Sequence, residues 1–267
     1  MSIPTVGAPG QAGTPTRVMS VEAPRAGRRT LASYLFMPVL LTAVLIALWL
    51  WLRSKDLSST ERQRVHLDYI LAKTWEHIEL TVVSTVLVLA IAIPIGILLT
   101  RPFARRITPV AIAFFNVGQG IPSVGLLGLL VLVWTIGFWP VVVALVAYCM
   151  LAVLRNTMVG LQQVDASVIE SARGMGMTKL AVLTRIELPL AVPVIMAGVR
   201  TALVINVGTA TLAGLFNAGG LGLIINTGIV RSDELIIVAG SLLTAVLALF
   251  IDYLAGIAED VLRPRGL

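Results

Sequence analysis

The chain has 267 residues, of which 57% are hydrophobic and 13% charged. Soluble domains carry about 45–50% apolar and about 25% charged residues, so a water-soluble enzyme of this size is excluded. One cysteine, Cys149, excludes a disulfide scaffold. The net charge of +6 does not signal nucleic acid, because the arginines fall between apolar runs as membrane topology signals do. The composition predicts an all-α polytopic membrane protein.

In chain order, residues 1–33 are rich in Pro, Gly, Thr and Ala and show no apolar period, which predicts a flexible tail. A crossing helix needs roughly 20 mostly apolar residues. Six runs qualify: 34–52, 80–99, 108–137, 138–154, 190–215 and 235–258. Strands are excluded because no run alternates in polarity. Six spans place the tail, the 100–109 loop, the 155–189 segment and the C-terminus on one side, with four, three, four and two Lys or Arg. The opposite side holds five in 53–79 plus Arg231. The excess predicts that both termini are cytoplasmic.

The third run contains Asn116, Gly118, Gln119, Gly120, Pro122, Ser123 and Gly125. That density of amides and helix breakers predicts a broken or kinked helix. It lies either beside a translocation path or packed tightly against a neighbour through small residues. The fifth run carries Arg200, Asn206, Thr209 and Thr211. An intramembrane arginine requires a partner; Arg200 meets a backbone carbonyl or an acid such as Asp252, or faces the path. Asn116, Gln119, Pro122, Ser123, Asn206 and Thr209 are the candidates for the path. The glycines of 217–222 predict a turn, and the following apolar stretch to Val230 is too short to cross.

The segment RNTMVGLQQVDASVIESARGMGMTKLAVLTRIELP (155–189) is patterned rather than floppy. Leu161, Val164, Val168 and Ala172 recur at helical spacing, and Asp165 opens a helix. Gly174-Met-Gly176 breaks it. Lys179 to Ile186 reads as a second short amphipathic helix, and Pro189 marks the next membrane run. The expectation is a compact hairpin, either a docking knob for a soluble partner or an interfacial structural element.

The spacing Glu170-Ser171-Ala172, three residues, Gly176, nine residues, Ile186-x-Leu188-Pro189 resembles the cytoplasmic EAA loop of type I ABC importer permeases. It departs from that pattern only at Ser171, where the family commonly has alanine. Further stretches resemble the osmoprotectant permeases that import glycine betaine, choline and carnitine. They are IPSVGLLGLL (121–130), LRNTMVGLQQVD (154–165), ESARGMGMT (170–178), ELPLAVPVIMAGVRTALVINVGTATLAG (187–214) and AGGLG (218–222). Similarity covers residues 77–260; the tail and first span, 34–52, fall outside it. The resemblance implies a MetI-like permease domain over 77–260 with its coupling loop at 160–189. Glu170, Ser171, Ala172, Gly174, Gly176, Ile186, Leu188 and Pro189 would seat in a groove of an ATPase. It implies an inner-membrane, multi-pass complex of two ATPase subunits, a second permease copy or sister permease, and a periplasmic or lipid-anchored binding protein. ATP and magnesium would belong to the ATPase, and no cofactor to this chain.

The residues agree with that division of labour. No G-x-x-x-x-G-K-[ST] loop is present, so ATP is not bound in that way. His66, His77 and Cys149 do not form a metal-ligand spacing, and no hydrolase pattern appears. Trp134, Phe138, Trp139 and Tyr148 form either a cation-friendly vestibule or an interfacial belt. The competing readings are an importer permease for another small solute such as an amino acid, and a stand-alone secondary transporter.

Overall fold

The computed structural model of the protein describes residues 31–262. The tail expected over 1–33 lies outside the described residues, except that 31–33 already belong to the first helix. Among the described residues every regular element is helical.

Helix α1 (Leu31–Arg53) is the first apolar run. Helix α2 (Ser59–Arg64) follows, opened by a capping box between Ser58 and Glu61. The bonds to Ser58 hold the Glu61 carboxyl below its usual range. Helix α3 (Leu67–Leu99) has 33 residues. That is about 50 Å of helix against a hydrocarbon core of about 30 Å. The run expected at 80–99 is therefore the inner part of a longer helix. Much of the segment read as a loop over 53–79 is helical, supported by ion pairs such as Lys73–Glu76 at 2.6 Å.

The third run divides into α4 (Thr108–Gly120) and α5 (Ser123–Val133), bent by 92°. Pro122 has no N–H and pushes the residue before it out of the helical region; Ile121 is extended, at φ −75° and ψ 130°. Helix α5 stops at Val133, short of the expected Gly137, which instead leads into α6 (Phe138–Gln162). Helix α6 continues well past the expected Leu154, so Leu161 belongs to it and not to the hairpin helix.

Helix α7 (Ala166–Gly174) precedes a rod made of α8 (Lys179–Val182), a wider π-turn (Leu183–Glu187), α9 (Leu188–Ala210) and a tight 3-10 turn (Thr211–Phe216). The rod is 38 residues without a break. The second short helix expected at 179–186 is thus the hairpin end of the fifth span. Pro189 does not interrupt it, because it falls in the first turn of α9, directly after the π-turn, where a missing N–H is tolerated. Helices α10 (Leu221–Arg231) and α11 (Glu234–Leu262) complete the chain. Five helices are long and apolar enough to cross a membrane, or six if the bent α4–α5 pair is one span.

Helices α3, α6 and α9 form the centre. Val88 and Ala92 of α3 pack on Cys149, Val153, Leu154 and Met158 of α6 and Ala202 of α9. In lipid, association rests on close packing rather than on expulsion of water, so small residues mark the crossings. A Cβ on Gly96 would meet Thr157 at 2.8 Å, and one on Gly160 would meet the Ala191 carbonyl at 3.1 Å. Farther from the 155–189 segment, Leu80, Leu127, Val141, Leu145 and Ala210 make a second cluster. Helix α1 lies at the edge, packed chiefly on α11.

Candidate functional site

The hairpin that projects from α6 and α9 is built by three local devices. Asp165 caps α7 by accepting the Ser167 N–H at 2.8 Å; this bond holds its carboxyl below the usual aspartate range. Gly176 turns the chain at φ +84°, a conformation that favours glycine. Thr178 caps α8 through the Ala181 N–H. The backbone closes the turn with Gly176 N–H to Arg173 O at 2.9 Å and Met177 N–H to Ala172 O at 3.2 Å.

The structure brings the eight sequence-predicted hairpin residues onto one compact unit. Glu170, Ser171, Gly174 and Gly176 are exposed. Ala172 is fully buried beneath them. Ile186, Leu188 and Pro189 are half-buried at the base. Between the exposed polar residues stand two apolar side chains that the chain itself does not cover, Met175 (76% exposed) and Leu180 (68%).

The six path candidates divide into groups. Asn116 and Gln119 of α4 turn toward α6: Arg155 donates to Asn116 Oδ1 at 2.6 Å, and Gln119 donates to the Tyr148 carbonyl at 3.1 Å. Pro122 and Ser123 form the bend itself. Thr209 is half-buried on α9. Asn206 is separate from these, fully buried between α9 and α3, where its amide donates toward Thr81 O, Ser84 Oγ and Thr85 Oγ1. Gly118 and Gly120 have open space where a side chain would be, so the bend keeps a bare backbone face.

Arg200 has the acidic partner its position requires. It donates to Asp252 at 3.0 Å and to Glu259 at 3.2 Å, joining α9 to α11. The aromatic group is looser than its sequence clustering suggests. Phe138 and Trp139 meet edge to face at 5.5 Å, whereas Tyr148 lies ten residues along α6, about 15 Å away along the axis.

Two polar junctions were not foreseen in the sequence. At the end of the bundle away from the hairpin, Glu76 accepts the Gly220 N–H at 2.9 Å and His77 Nε2 donates to the Val207 carbonyl at 3.0 Å. At the hairpin base, Arg101 donates two bonds to the Glu187 carboxylate, at 2.6 and 3.3 Å. The only cue to either was side: the topology places both members of each pair at the same membrane face, and no spacing rule links residues 86 or more positions apart.

Residues 92–265 match the family described as binding-protein-dependent transport system inner membrane component. The choline transport system permease protein OpuBB of Bacillus subtilis is 37% identical over 198 residues, covering 74% of this chain and 90% of that one. The carnitine transport permease protein OpuCD of Listeria monocytogenes is 40% identical, covering 74% and 88%. The osmoprotectant import permease protein OsmY of Salmonella typhimurium is 39% identical over 211 residues, covering 79% and 87%. Among solved structures, an inward-facing MetNI methionine ABC transporter shares the fold at a TM-score of 0.63 and 24% identity, covering 78% of this chain and 98% of that chain. With its apolar helices, its small-residue crossings and this match over most of its length, the chain belongs to the binding-protein-dependent transport system inner membrane components, as a multi-pass permease of ABC importer type.

Proposed function

We propose that this permease imports quaternary ammonium osmoprotectants such as glycine betaine, choline and carnitine, driven by ATP that a separate subunit hydrolyses. The solute class rests on the three relatives named for choline, carnitine and osmoprotectants. The coupling role rests on one observation: a capped, glycine-turned hairpin ends the rod and presents Met175 and Leu180 uncovered. Apolar side chains held out on a rigid polar knob suit a groove in a soluble partner.

In this reading both termini and the hairpin lie in the cytoplasm, where two ATPase subunits seat Glu170, Ser171, Ala172, Gly174 and Gly176. Ile186, Leu188 and Pro189 anchor the hairpin to the rod. A second permease copy or a sister permease covers α4 and α5, whose Phe114, Val117, Leu132 and Val133 are 69–84% exposed. The path follows the bend at Asn116, Gln119, Pro122 and Ser123, with Thr209 opposite. Asn206 contributes by holding α9 to α3. A periplasmic or lipid-anchored binding protein delivers solute from outside. ATP and magnesium are held by the ATPase, and this chain performs no chemistry.

The test is uptake of radiolabelled glycine betaine, choline and carnitine by proteoliposomes holding the permease, its ATPase and its binding protein. ATP-dependent accumulation of at least one supports the reading. Accumulation by the permease alone overturns it in favour of a secondary transporter. ATP-dependent uptake of an amino acid but none of the three corrects the solute class.

A further inference from the structure

We infer that the Arg101–Glu187 pair is a positioning strut that carries hairpin displacement to the broken α4–α5 helix; this rests on the coupling reading above. Glu187 ends the π-turn, and its side chain is 9% exposed. Arg101 leaves the end of α3 and grips the carboxylate with both terminal nitrogens. Its Nε also bonds the Ile97 carbonyl of α3 at 3.3 Å. The guanidinium thus fixes the hairpin base to the last turn of α3.

The connection from there to α4 is stiff. Residues 101–107 are closed by Ala104 N–H to Arg101 O at 3.0 Å and Ile107 N–H to Ala104 O at 2.8 Å. Ala104 is buried. Thr108, the first residue of α4, donates to the carbonyls of Leu99 and Ala104 at 2.8 and 3.0 Å. A push on α7 and α8 therefore has a hydrogen-bonded route through Glu187, Arg101 and Thr108 into α4, which buries none of its residues within the chain and is tied to α6 only through Asn116, Gln119 and the half-buried Ile112 and Phe115.

The π-turn supplies the geometry. Its extra residue shifts the helical phase, which brings Glu187 inward at the height of Arg101 while Arg185 stays exposed. The energetic weight of the pair is large, because a buried carboxylate that loses its guanidinium is left uncompensated.

The test uses the complete transporter in proteoliposomes, with Cys149 replaced by alanine and spin labels at the exposed Ala166 of the hairpin and Ala113 of α4. Glu187→Gln keeps the shape and removes the charge. Arg101→Lys keeps the charge and removes the two-pronged grip. In the parent complex the Ala166–Ala113 distance stays narrow when ATP is trapped with vanadate. In either variant it is expected to shift on trapping, and solute moved per ATP hydrolysed is expected to fall about tenfold. The exchange Arg101→Glu with Glu187→Arg is expected to recover part of that loss. An unchanged distance and an unchanged solute-to-ATP ratio in folded variants would overturn the strut alone. A parent complex that hydrolyses ATP yet moves no solute would overturn both the strut and the transport reading.

Discussion

Asn206 shows how a single polar residue serves a membrane core. Its amide nitrogen faces the Thr81 carbonyl, which settles which end of the amide points that way, since two oxygens would repel. Yet the Ser84 hydroxyl also donates to its own helix, at Leu80 O, and the Thr81 carbonyl belongs to the α3 backbone. Removing the amide leaves the Ser84 donor bonded and takes from Thr85 only an incoming bond. Asn206→Ala is therefore expected to lower stability by only about 1 kcal/mol, measured by thermal unfolding in detergent. A loss several times larger would mean that the amide holds something beyond α3. Arg200 obeys the same economy, since its guanidinium is shared between Asp252 and Glu259 and stays paired when either is lost.

At the level of elements, two glycines two residues apart in the hairpin do opposite work. Gly174 closes α7 with open space around it and no left-handed backbone. Gly174→Ala should leave the hairpin intact or stabilise it by up to about 1 kcal/mol. Gly176, at φ +84°, also has open space, so Gly176→Ala strains the backbone without a clash. It should cost about 1–3 kcal/mol locally. Limited trypsin digestion between Arg173 and Lys179 is the measurement: cleavage should accelerate for Gly176→Ala and not for Gly174→Ala. Equal acceleration in both would show that the turn does not depend on the left-handed residue. The α9–α10 junction has no such latitude. A side chain on Gly214 would overlap the backbone of Gly222, and one on Gly222 would overlap the Thr211 carbonyl.

At the level of the whole molecule, α3, α6 and α9 behave as one body. Helices α3 and α9 are joined by His77 and Asn206 at adjacent levels far from the hairpin and by Arg101 and Glu187 at the hairpin base, and α6 packs against both. Helix α1 stands apart. Leu41 and Leu48, one heptad apart, form its buried seam, while Phe36, Val39, Ile46 and Leu50 are more than half exposed. A chain starting near residue 57 should therefore insert, keep the α3–α11 fold and retain transport within about threefold, because weak contacts at the rim of a domain add little to its stability. Uptake assays and protease protection of the truncated chain measure this. Failure to insert would assign α1 a role in assembly.

Membrane class, the number of long apolar runs, the position of the break at Pro122 and the glycine turn at Gly176 are all local matters of hydropathy, missing N–H groups and backbone freedom. The order of residues determines them without reference to distant neighbours. Helix lengths were less legible, because α3 and the Lys179–Phe216 rod extend into polar segments where hydropathy is silent and ion pairs, caps and a π-turn carry the helix onward. The partners of Glu187, Glu76 and Asn206 were decided only in three dimensions, whereas Asp252 already stood in the sequence as a candidate for Arg200. Each lies across a helix crossing whose register depends on which small residues let two backbones approach.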